Sequence, residues 1–502
     1  MSTTETSEVV ERAKRDETPS PAGSRVSSRS ASPSSLNDPE KHATSPSSLN
    51  DPEKQAASPS SLNDREGASA LLRDTTLFRF ATAGSVDDGK STLVGRLLHD
   101  AKAILADQLE QVARTSADRG FAHGEFDFAL LTDGLRAERE QGITIDVAYR
   151  YFSTDARSFI LADCPGHVQY TRNMVTGSAT ADAVVVLIDA RKGVVEQTRR
   201  HLAVVSLLRV PHVIIAVNKI DLTGFDEKRY RAVEEQANQV AVELGLIDAH
   251  VIPVSALEGD NIVDASERTP WYGGPTLREL LETLPARAAE EDAAFRLPVQ
   301  TVIRPQGGVS ALIDEDEAAG LRDYRGFAGR VSSGSVRVGD RVQVFPGGHE
   351  TTVTGIRVAG REAEYAHTAQ SIAVTLADEV DAARGALIAA AGTLPTGHQE
   401  AEVEIFQLDV RPITPGARVL AKHGTSTVQA IVSEVLSRRD LDTLALEDAS
   451  ELAVNEIGRV RIRFASPLPL ETYADDREGG ALLLIHPADG ATLAAATVVE
   501  TT

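Results

Sequence analysis

Short apolar runs alternate with longer amphipathic stretches over the middle of the chain. The runs are rich in Val and Ile, which predicts buried strands, and they span Leu77 to Ala83, Ser158 to Ala162, Ala183 to Ile188, His212 to Val217 and His250 to Val254. The intervals, such as Thr92 to Val112 and Glu196 to Leu208, have helical spacing. Strands that alternate with helices predict an α/β domain with a doubly wound, mostly parallel sheet, which we assign to residues 75–294.

The apolar pattern beyond residue 294 has a period of two. Between Gly329 and Val344 the valines alternate with polar residues, and Gly339-Asp340 supplies a turn. The same alternation follows the Glu456-Ile-Gly458 turn, in Arg459 to Arg463. We therefore expect two small antiparallel β-barrels, over residues 295–394 and 395–502.

Residues 1–74 are dominated by Ser, Pro, Asp and Glu and have too few aliphatic residues to form a core. A 13-residue unit occurs three times, beginning at Ser32, Ser45 and Ser58, with one Leu in each copy. Solenoid repeats need many more apolar residues, so we expect a disordered tail built from a duplicated linker. A tail that docks on a partner or is phosphorylated remains the alternative.

Composition narrows the class of protein. The 502 residues are 42% apolar, which is enough for three folded domains. The 74 acidic residues outnumber the 51 basic residues, and the net charge of −23 argues against binding to nucleic acid or to an anionic membrane. Cys164 is the only cysteine, which excludes an internal disulfide and a multi-cysteine metal site. Without a spanning apolar run or a signal peptide, we expect a cytoplasmic protein.

A phosphate-binding loop is predicted between the first strand and the first helix. Its residues and the first helical residue are Gly84, Ser85, Val86, Asp87, Asp88, Gly89, Lys90, Ser91 and Thr92. In such a loop the backbone N–H groups and the lysine bind the phosphates of a nucleotide, and the serine binds Mg²⁺. The alternative is a chance Gly-rich turn, which the flanking strand and helix make less probable.

A second motif follows the next predicted strand and consists of Asp163, Cys164, Pro165, Gly166 and His167. A carboxylate at this strand end faces the phosphate loop and suits Mg²⁺, although by itself it could be only a helix cap. Gly166 lets a backbone N–H approach the γ-phosphate, and His167 is placed to orient an attacking water.

The nucleotide base is predicted to be guanine. Asn218, Lys219, Ile220 and Asp221 end another strand, and the Asp221 carboxylate can accept from both N1–H and the 2-amino group of guanine. Adenine lacks the N1 donor, so two charged hydrogen bonds favour GTP over ATP by roughly two to four orders of magnitude. Ser255, Ala256 and Leu257 follow the next strand and either offer an N–H to guanine O6 or only cap a helix.

Thr144 lies between the first two motifs, in the stretch Gly142 to Asp146. Its hydroxyl is a candidate second protein ligand to Mg²⁺, held in place only when the γ-phosphate is present. Taken alone, a Thr between two isoleucines is a strand residue.

The order of these motifs, followed by two barrels, resembles the translational GTPase superfamily. From Leu77 onward the chain more closely resembles the large, GTP-binding subunits of bacterial sulfate adenylyltransferase (ATP sulfurylase). Asp88 is part of this resemblance, because elongation factors usually carry His there. The other stretches that carry it are Gly84 to Ser91, Leu130 to Phe152, Asp163 to Met174, Trp271 to Leu277 and Asp323 to Gly329.

The resemblance implies a heterodimer in which a separate small, catalytic subunit forms adenosine 5′-phosphosulfate and pyrophosphate from ATP and sulfate, while this chain hydrolyses GTP to drive that reaction. The resemblance also implies roles for residues of the site. Lys90 neutralises phosphate charge, Ser91 and Thr144 bind Mg²⁺, and Asp163 acts on the metal through water. His167 positions the nucleophilic water beside an apolar gate of Val86 and Ile143, and Asp87 helps to hold the site.

The sequence departs from this family in its N-terminal repeats, in an expanded stretch from Gln306 to Leu321, and at two shorter places. Cys164 stands where the family often has Thr, and we interpret it as a packing residue. Asp475 to Gly480 replaces the usual Asn-Arg-x-Thr-Gly of the last barrel, which makes the contacts of that barrel an open question.

Two other functions are less compatible with the sequence. A translation factor that delivers aminoacyl-tRNA must bind RNA, which the net charge of −23 and Asp88 disfavour. An ATP sulfurylase that works alone needs a His-x-Gly-His or Ser-Gly-Gly-x-Asp-Ser motif, and the sequence has neither.

Overall fold

The computed structural model describes residues 77–101, 112, 116, 128, 146–166, 171–286, 293–305, 321, 323–441 and 443–501. The predicted tail, residues 102–111 of the helix expected to reach Val112, and Ile143, Thr144 and His167 lie outside this part of the chain.

A six-stranded sheet forms the first folded part. Its strands are β1 (Leu77–Gly84), β2 (Ala148–Ser153), β3 (Ser158–Asp163), β4 (Ala183–Asp189), β5 (His212–Asn218) and β6 (Ala249–Pro253). They lie in the order β2-β3-β1-β4-β5-β6, and every neighbouring pair is parallel except β2 with β3. The five predicted strands are confirmed to within one residue at each end, whereas the edge strand β2 was not predicted. On β2, Tyr149 and Tyr151 are exposed, so its apolar face is not a continuous run.

Helices cover both faces of the sheet. They are α1 (Lys90–Asp100), α2 (Thr171–Ser178), α3 (Glu196–Leu207), α4 (Glu227–Glu243) and α5 (Leu277–Thr283), with a short 3₁₀ turn at Ile220–Thr223. Successive residues of β4 point to opposite faces, so Val184 packs with α2, α3 and α4, and Val185 packs with α1 and α5. This double burial explains why the strands are continuous apolar runs. The first helix begins at Lys90, two residues earlier than predicted.

The first barrel is closed by hydrogen bonding between its fourth and fifth strands. Its strands and short appended strands are β7 (Arg296–Ile303), β8 (Gly326–Arg330), β9 (Ser335–Arg337), β10 (Arg341–Phe345), β11 (His349–Val358), β12 (Arg361–Ala363), β13 (Tyr365–His367), β14 (Ser371–Leu376) and β15 (Leu387–Ala390). Six of them close in the order β10-β15-β7-β8-β14-β11, and β10 pairs back onto β11. The Gly339-Asp340 turn joins β9 to β10, but these two strands do not pair, because β9 pairs with β13.

The second barrel has the same closure with longer strands. They are β16 (Gly397–Gln407), β17 (Arg418–His423), β18 (Ser426–Arg439), β19 (Leu446–Glu447), β20 (Ile457–Pro469), β21 (Ala481–Ile485) and β22 (Thr492–Thr501). The barrel order is β17-β21-β22-β16-β20-β18, closed by β17 with β18. Gly458, expected in a turn, lies inside β20, where a Cβ atom would be 2.4 Å from the carbonyl oxygen of Ser437. This close approach of β18 and β20 explains the glycine.

The second barrel packs directly on the α/β domain. Phe406 and Ile457 belong to the same buried cluster as Leu202 of α3. The Tyr473 hydroxyl donates a buried hydrogen bond of 3.0 Å to the carbonyl of Leu208. Of the helices in the described part of the chain, none combines the length and hydropathy that a bilayer span requires.

Candidate GTP-binding site

The phosphate loop is shaped by contacts among its own residues. Lys90 is buried, and its Nζ donates to the carbonyl oxygens of Gly84, at 2.8 Å, and Ser85, at 2.9 Å. The Asp88 carboxylate accepts from the N–H of Ser85 at 2.7 Å. Burial lowers the pKa of Lys90, while the nearby carboxylates of Asp163 and Asp88 oppose that change. The loop therefore holds a buried cation that the described protein residues already orient, as phosphate binding requires.

Two backbone conformations in the loop are left-handed. Asp87 has φ 64° and Gly89 has φ 95°. At Gly89 a Cβ atom would lie 2.4 Å from Nδ2 of Asn218, so only glycine fits beside that amide. Val86 is partly exposed at the loop tip.

The predicted base-recognition motif also supports the phosphate loop. Asn218 Nδ2 donates to the carbonyl of Asp88 at 2.7 Å, and its Oδ1 accepts from the N–H of Ala256 at 2.9 Å. Lys219 Nζ donates to the carbonyl of Asp87 and pairs with Asp189 at 3.2 Å. The side chains of Asn218 and Lys219 thus connect the base-recognition motif to the phosphate loop and to the segment that contains Ala256.

Asp221 lies in the 3₁₀ turn directly after β5. Its Oδ1 accepts from the Ser255 hydroxyl at 2.7 Å, which fixes the carboxylate relative to the segment after β6. Asp221 is only partly buried, whereas Ser255 is fully buried. The N–H of Ala256 donates to Asn218, and Leu257, which follows it, is exposed.

The segment after β3 lies against the phosphate loop. Asp163 is paired in register with Thr82 of β1, and the Thr82 hydroxyl donates to Asp163 Oδ1 at 2.8 Å. A Cβ atom on Gly166 would be 2.2 Å from Nζ of Lys90 and 2.8 Å from the carbonyl oxygen of Gly84. The predicted apposition of this segment and the loop is therefore present.

Cys164 is fully buried, and its Sγ donates to the carbonyl of Ala162 at 3.7 Å. Burial, together with the Asp163 carboxylate, raises the pKa of this thiol well above its usual range. The thiol is therefore protonated, which agrees with a packing residue and not with a nucleophile. Pro165 lies in the same loop.

Three predicted residues lie outside the described part of the chain: Ile143, Thr144 and His167. Their roles remain predictions. The side chains that could hold Mg²⁺ within the described ranges are the Ser91 hydroxyl, in the first turn of α1, and the oriented carboxylate of Asp163.

The Ser91 hydroxyl and the Asp163 carboxylate fit a site in which Mg²⁺ is bound together with a nucleotide. In the ranges that the structure describes there is no group of three or more His, Cys, Asp or Glu side chains that could hold a metal. Mg²⁺ bound with a nucleotide takes oxygen ligands from phosphates, water and only one or two side chains, so a single hydroxyl and carboxylate are sufficient.

One residue of the site was missed in the sequence. Asp189 ends β4 and is almost completely buried, and it binds Lys219 and Arg191, the latter at 2.7 Å. Although burial alone would raise its pKa, hydrogen bonds from Arg191 and Lys219 hold the pKa of Asp189 far below its usual range. Its position at the end of an apolar run, like that of Asp163, was the available signal.

The fold and site define a class of protein: a GTPase domain of the translational type followed by two barrels. Residues 75–289 match the family model described as elongation factor Tu GTP binding domain, and residues 398–499 match the one described as GTP-eEF1A C-terminal domain-like.

Relatives define the family more narrowly. The chain is 46% identical over 422 residues to a sulfate adenylyltransferase subunit 1 of Methylorubrum extorquens, covering 84% of this chain and 87% of the relative. It is 42% identical over 424 residues to the subunit 1 of Alteromonas mediterranea, with 84% and 87% covered. A bifunctional enzyme CysN/CysC of Mycobacterium tuberculosis is 46% identical over 428 residues, with 85% and 68% covered. The chain belongs to the sulfate adenylyltransferase subunit 1 family, nucleotidyltransferases with a GTPase domain.

Proposed function

We propose that this chain is the GTP-hydrolysing subunit of a cytoplasmic sulfate adenylyltransferase heterodimer. In this proposal a small subunit forms adenosine 5′-phosphosulfate and pyrophosphate from ATP and sulfate, and GTP hydrolysis here drives that reaction. The observation that carries the proposal is the 46% identity to a subunit 1 over 422 residues, which span the GTPase domain and both barrels.

Guanine recognition is assigned to Asp221, with Asn218, Lys219, Ile220 and the Ser255 to Leu257 segment around it. The hydrogen bond from Ser255 supports this role, because it holds one carboxylate oxygen of Asp221 while the side chain stays accessible. A fixed anionic acceptor discriminates against adenine, which would leave its charge unpaired.

Phosphate binding is assigned to the loop and its lysine. Lys90 neutralises phosphate charge, and backbone N–H groups of the loop and of the first turn of α1 bind the phosphates. Ser91, Thr144 and Asp163 would hold Mg²⁺, with Asp163 acting through a water molecule. When bound, the metal supplies electrostatic stabilisation of charge on the phosphate oxygens.

Hydrolysis is assigned to the segment after β3. His167 positions the attacking water between Val86 and Ile143, and Asp87 helps to hold the loop. The close approach of Gly166 to Lys90, where a Cβ atom would lie 2.2 Å from Nζ, supports this assignment, because Gly166 directly precedes His167 in the sequence.

The deciding experiment is coexpression with the candidate small subunit. We expect pyrophosphate release from ATP and sulfate to rise when GTP is added, and to lose that GTP response when Lys90→Ala is introduced. Lys228→Ala, an exposed lysine of α4, is the matched control and should behave like the unchanged chain. A release that is indifferent to GTP would contradict the proposal, as would adenosine phosphosulfate made by this chain alone.

The same preparation separates this function from translation. A translation factor would retain tRNA in a GTP-dependent manner, and the net charge of −23 argues against that. Recovery of tRNA with GTP, and of no small subunit, would favour the translation factor instead.

A further inference from the structure

A large crevice lies where the GTPase domain and the two barrels meet. Its volume is about 1090 Å³, which is in the range of sites for small organic ligands. All three folded parts contribute basic side chains to its lining: Arg79, Arg172, Arg296, Arg330, Lys422 and Arg477.

The crevice is separate from the GTP site. Arg79 is the third residue of β1, and Gly84, at the start of the phosphate loop, is the last. A strand rises about 3.3 Å per residue, so the two positions are about 17 Å apart at opposite ends of the strand. A ligand in the crevice therefore leaves the nucleotide site accessible.

Specific contacts hold the walls of the crevice together. Arg477 Nη2 donates to the carbonyl of Ala179, at 3.1 Å, and so joins the second barrel to the GTPase domain. Arg296 pairs with Glu471 at 3.1 Å and joins the two barrels. Pre-positioned walls reduce the ordering cost of binding a ligand.

Four of the six basic side chains are not matched by acidic ones. Arg296 pairs with Glu471, and Arg330 lies 3.7 Å from Glu478. The remaining four form no ion pair with any carboxylate in the described ranges, and they are Arg79, Arg172, Lys422 and Arg477.

The other acidic side chains of the lining have partners within the protein. Asp182 accepts from the N–H of Arg79 at 2.7 Å, and Asp476 accepts from the N–H of Gly479 at 2.7 Å. Asp409 is paired with Arg411 at 2.6 Å. The six basic side chains of the lining outnumber its five acidic ones, and four of the cations lack carboxylate partners, so the crevice favours anions even though the whole chain is acidic.

Arg477 contributes a fixed positive charge to the wall of the crevice. Its Nη1 is buried and has no hydrogen-bond partner among the described residues. Its Nε and Nη2 donate to the Tyr473 hydroxyl and the Ala179 carbonyl, so the guanidinium is held in place beside the crevice. Arg477 belongs to the Asp475 to Gly480 segment in which this chain departs from its family pattern.

We propose that the interdomain crevice binds a small-molecule anion with a phosphate or sulfate group, held by Arg172 of the GTPase domain and Lys422 of the second barrel, with the positive charge of Arg477 beside them. The proposal does not depend on the function proposed above. Both groups have tetrahedral oxygens that guanidinium and ammonium donors recognise in the same way.

The test uses the full chain saturated with GDP and Mg²⁺, so that the phosphate loop is filled. Sodium phosphate and sodium sulfate are titrated separately by calorimetry, with sodium chloride keeping the ionic strength constant. We expect saturable binding of one anion per chain, and a loss of about tenfold or more in affinity in Arg172→Gln and in Lys422→Gln. Both side chains are partly or fully exposed, so these substitutions should leave the melting temperature unchanged.

Two further variants make the result decisive. Arg361→Gln, an exposed arginine of β12, should bind like the unchanged chain, and Arg172→Lys should retain most of the affinity. Binding of phosphate alone, sulfate alone or both supports the site and identifies the group. Absence of saturable binding by either anion overturns the proposal, as does binding that neither glutamine variant weakens. Because no small subunit is present, this outcome is independent of any effect of GTP on sulfate activation.

Discussion

Gly89 and Gly166 lie on two sides of Lys90, and close contacts leave no room for a side chain at either position. Gly89 lies under the Asn218 amide with a left-handed φ of 95°, and Gly166 lies against the Lys90 ammonium. A methyl group at either position meets a polar atom that is itself held by hydrogen bonds. The two positions test whether the geometry around Lys90 is needed for catalysis.

Gly166→Ala should reduce GTP hydrolysis by about 100-fold, because the added methyl group displaces Lys90 from a position that electrostatic catalysis requires. The change is measured as single-turnover hydrolysis of GTP. Gly273→Ala is the control, since a Cβ atom there has no neighbour within 4 Å. Equal rates in the two variants would show that the Lys90 ammonium tolerates displacement.

Asp221→Asn should lower the affinity for GTP by about 100-fold or more and raise the affinity for xanthosine triphosphate, because an amide replaces an acceptor that guanine N–H groups need. Competition against a fluorescent GDP analogue measures both affinities. Asp226→Asn is the control, because Asp226 only caps α4 by accepting from the N–H of Lys228. Unchanged GTP preference in Asp221→Asn would remove this residue from base recognition.

At the scale of elements, the site is made by the ends of four adjacent strands. β3, β1, β4 and β5 are neighbours in the sheet, and they end at Asp163, Gly84, Asp189 and Asn218. Parallel strands put all their carboxyl ends at one edge, so residues far apart in sequence meet there. The sequence indicated three of the four strand ends, and Asp189 was missed because no nucleotide motif includes it.

The helix α3 contains a buried histidine that makes stability depend on pH. Burial, and then the positive charges of Lys90 and Arg200, lower the pKa of His201 to about 3. An unfolded histidine binds a proton near pH 6.5, so between about pH 6.5 and pH 3 the unfolded chain binds a proton that the folded chain does not. Stability is therefore fully present above pH 6.5 and falls as the pH decreases through that window.

His201→Gln should remove about 2 kcal/mol of the stability loss between pH 7 and pH 5. Urea unfolding at the two pH values measures it. His349→Gln, an exposed histidine at the start of β11, should lose as much stability on acidification as the unchanged chain. If the His201→Gln variant loses as much stability on acidification as the unchanged chain, protonation of His201 is not the cause of that loss.

At the scale of the whole molecule, the second barrel is attached through the segment that departs from the family pattern and the residues just before it. Tyr473 donates to the carbonyl of Leu208 and accepts from Nε of Arg477 at 3.1 Å, and Arg477 also reaches Ala179. The open question about these contacts is thus answered: Arg477 makes a domain contact of its own. These polar contacts add to the buried apolar cluster in which Phe406 and Ile457 of the second barrel pack on the GTPase domain.

Tyr473→Phe should lower the free energy of unfolding by about 1–2 kcal/mol, because the buried carbonyl of Leu208 loses its donor. The urea concentration at half-unfolding measures the change. Tyr151→Phe is the control, since Tyr151 is 71% exposed. Equal stability of the two variants would mean that this hydrogen bond does not hold the barrel to the GTPase domain.

Features of the fold that depend on neighbouring residues in the sequence were predictable, whereas features that depend on distant residues were not. The apolar runs predicted the parallel strands, since burial on both faces leaves a continuous local signal. The turn at Gly339-Asp340 was predicted correctly as a turn, but its two strands pair elsewhere, because barrel closure is set by partners distant in the chain. Gly458 is similar: its neighbour Ser437 is remote in sequence, so a turn was the natural interpretation.

The sequence by itself determined the class of fold, the nucleotide motifs and their order, because each depends on local spacing and on a strand or helix immediately beside it. Only the tertiary structure decided that Asn218 and Lys219 support the phosphate loop, that Asp189 orients Lys219, and that basic side chains from three folded parts converge on one crevice. Those contacts join residues separated by many tens of positions, and nothing in local periodicity records which distant residues meet once the chain has packed.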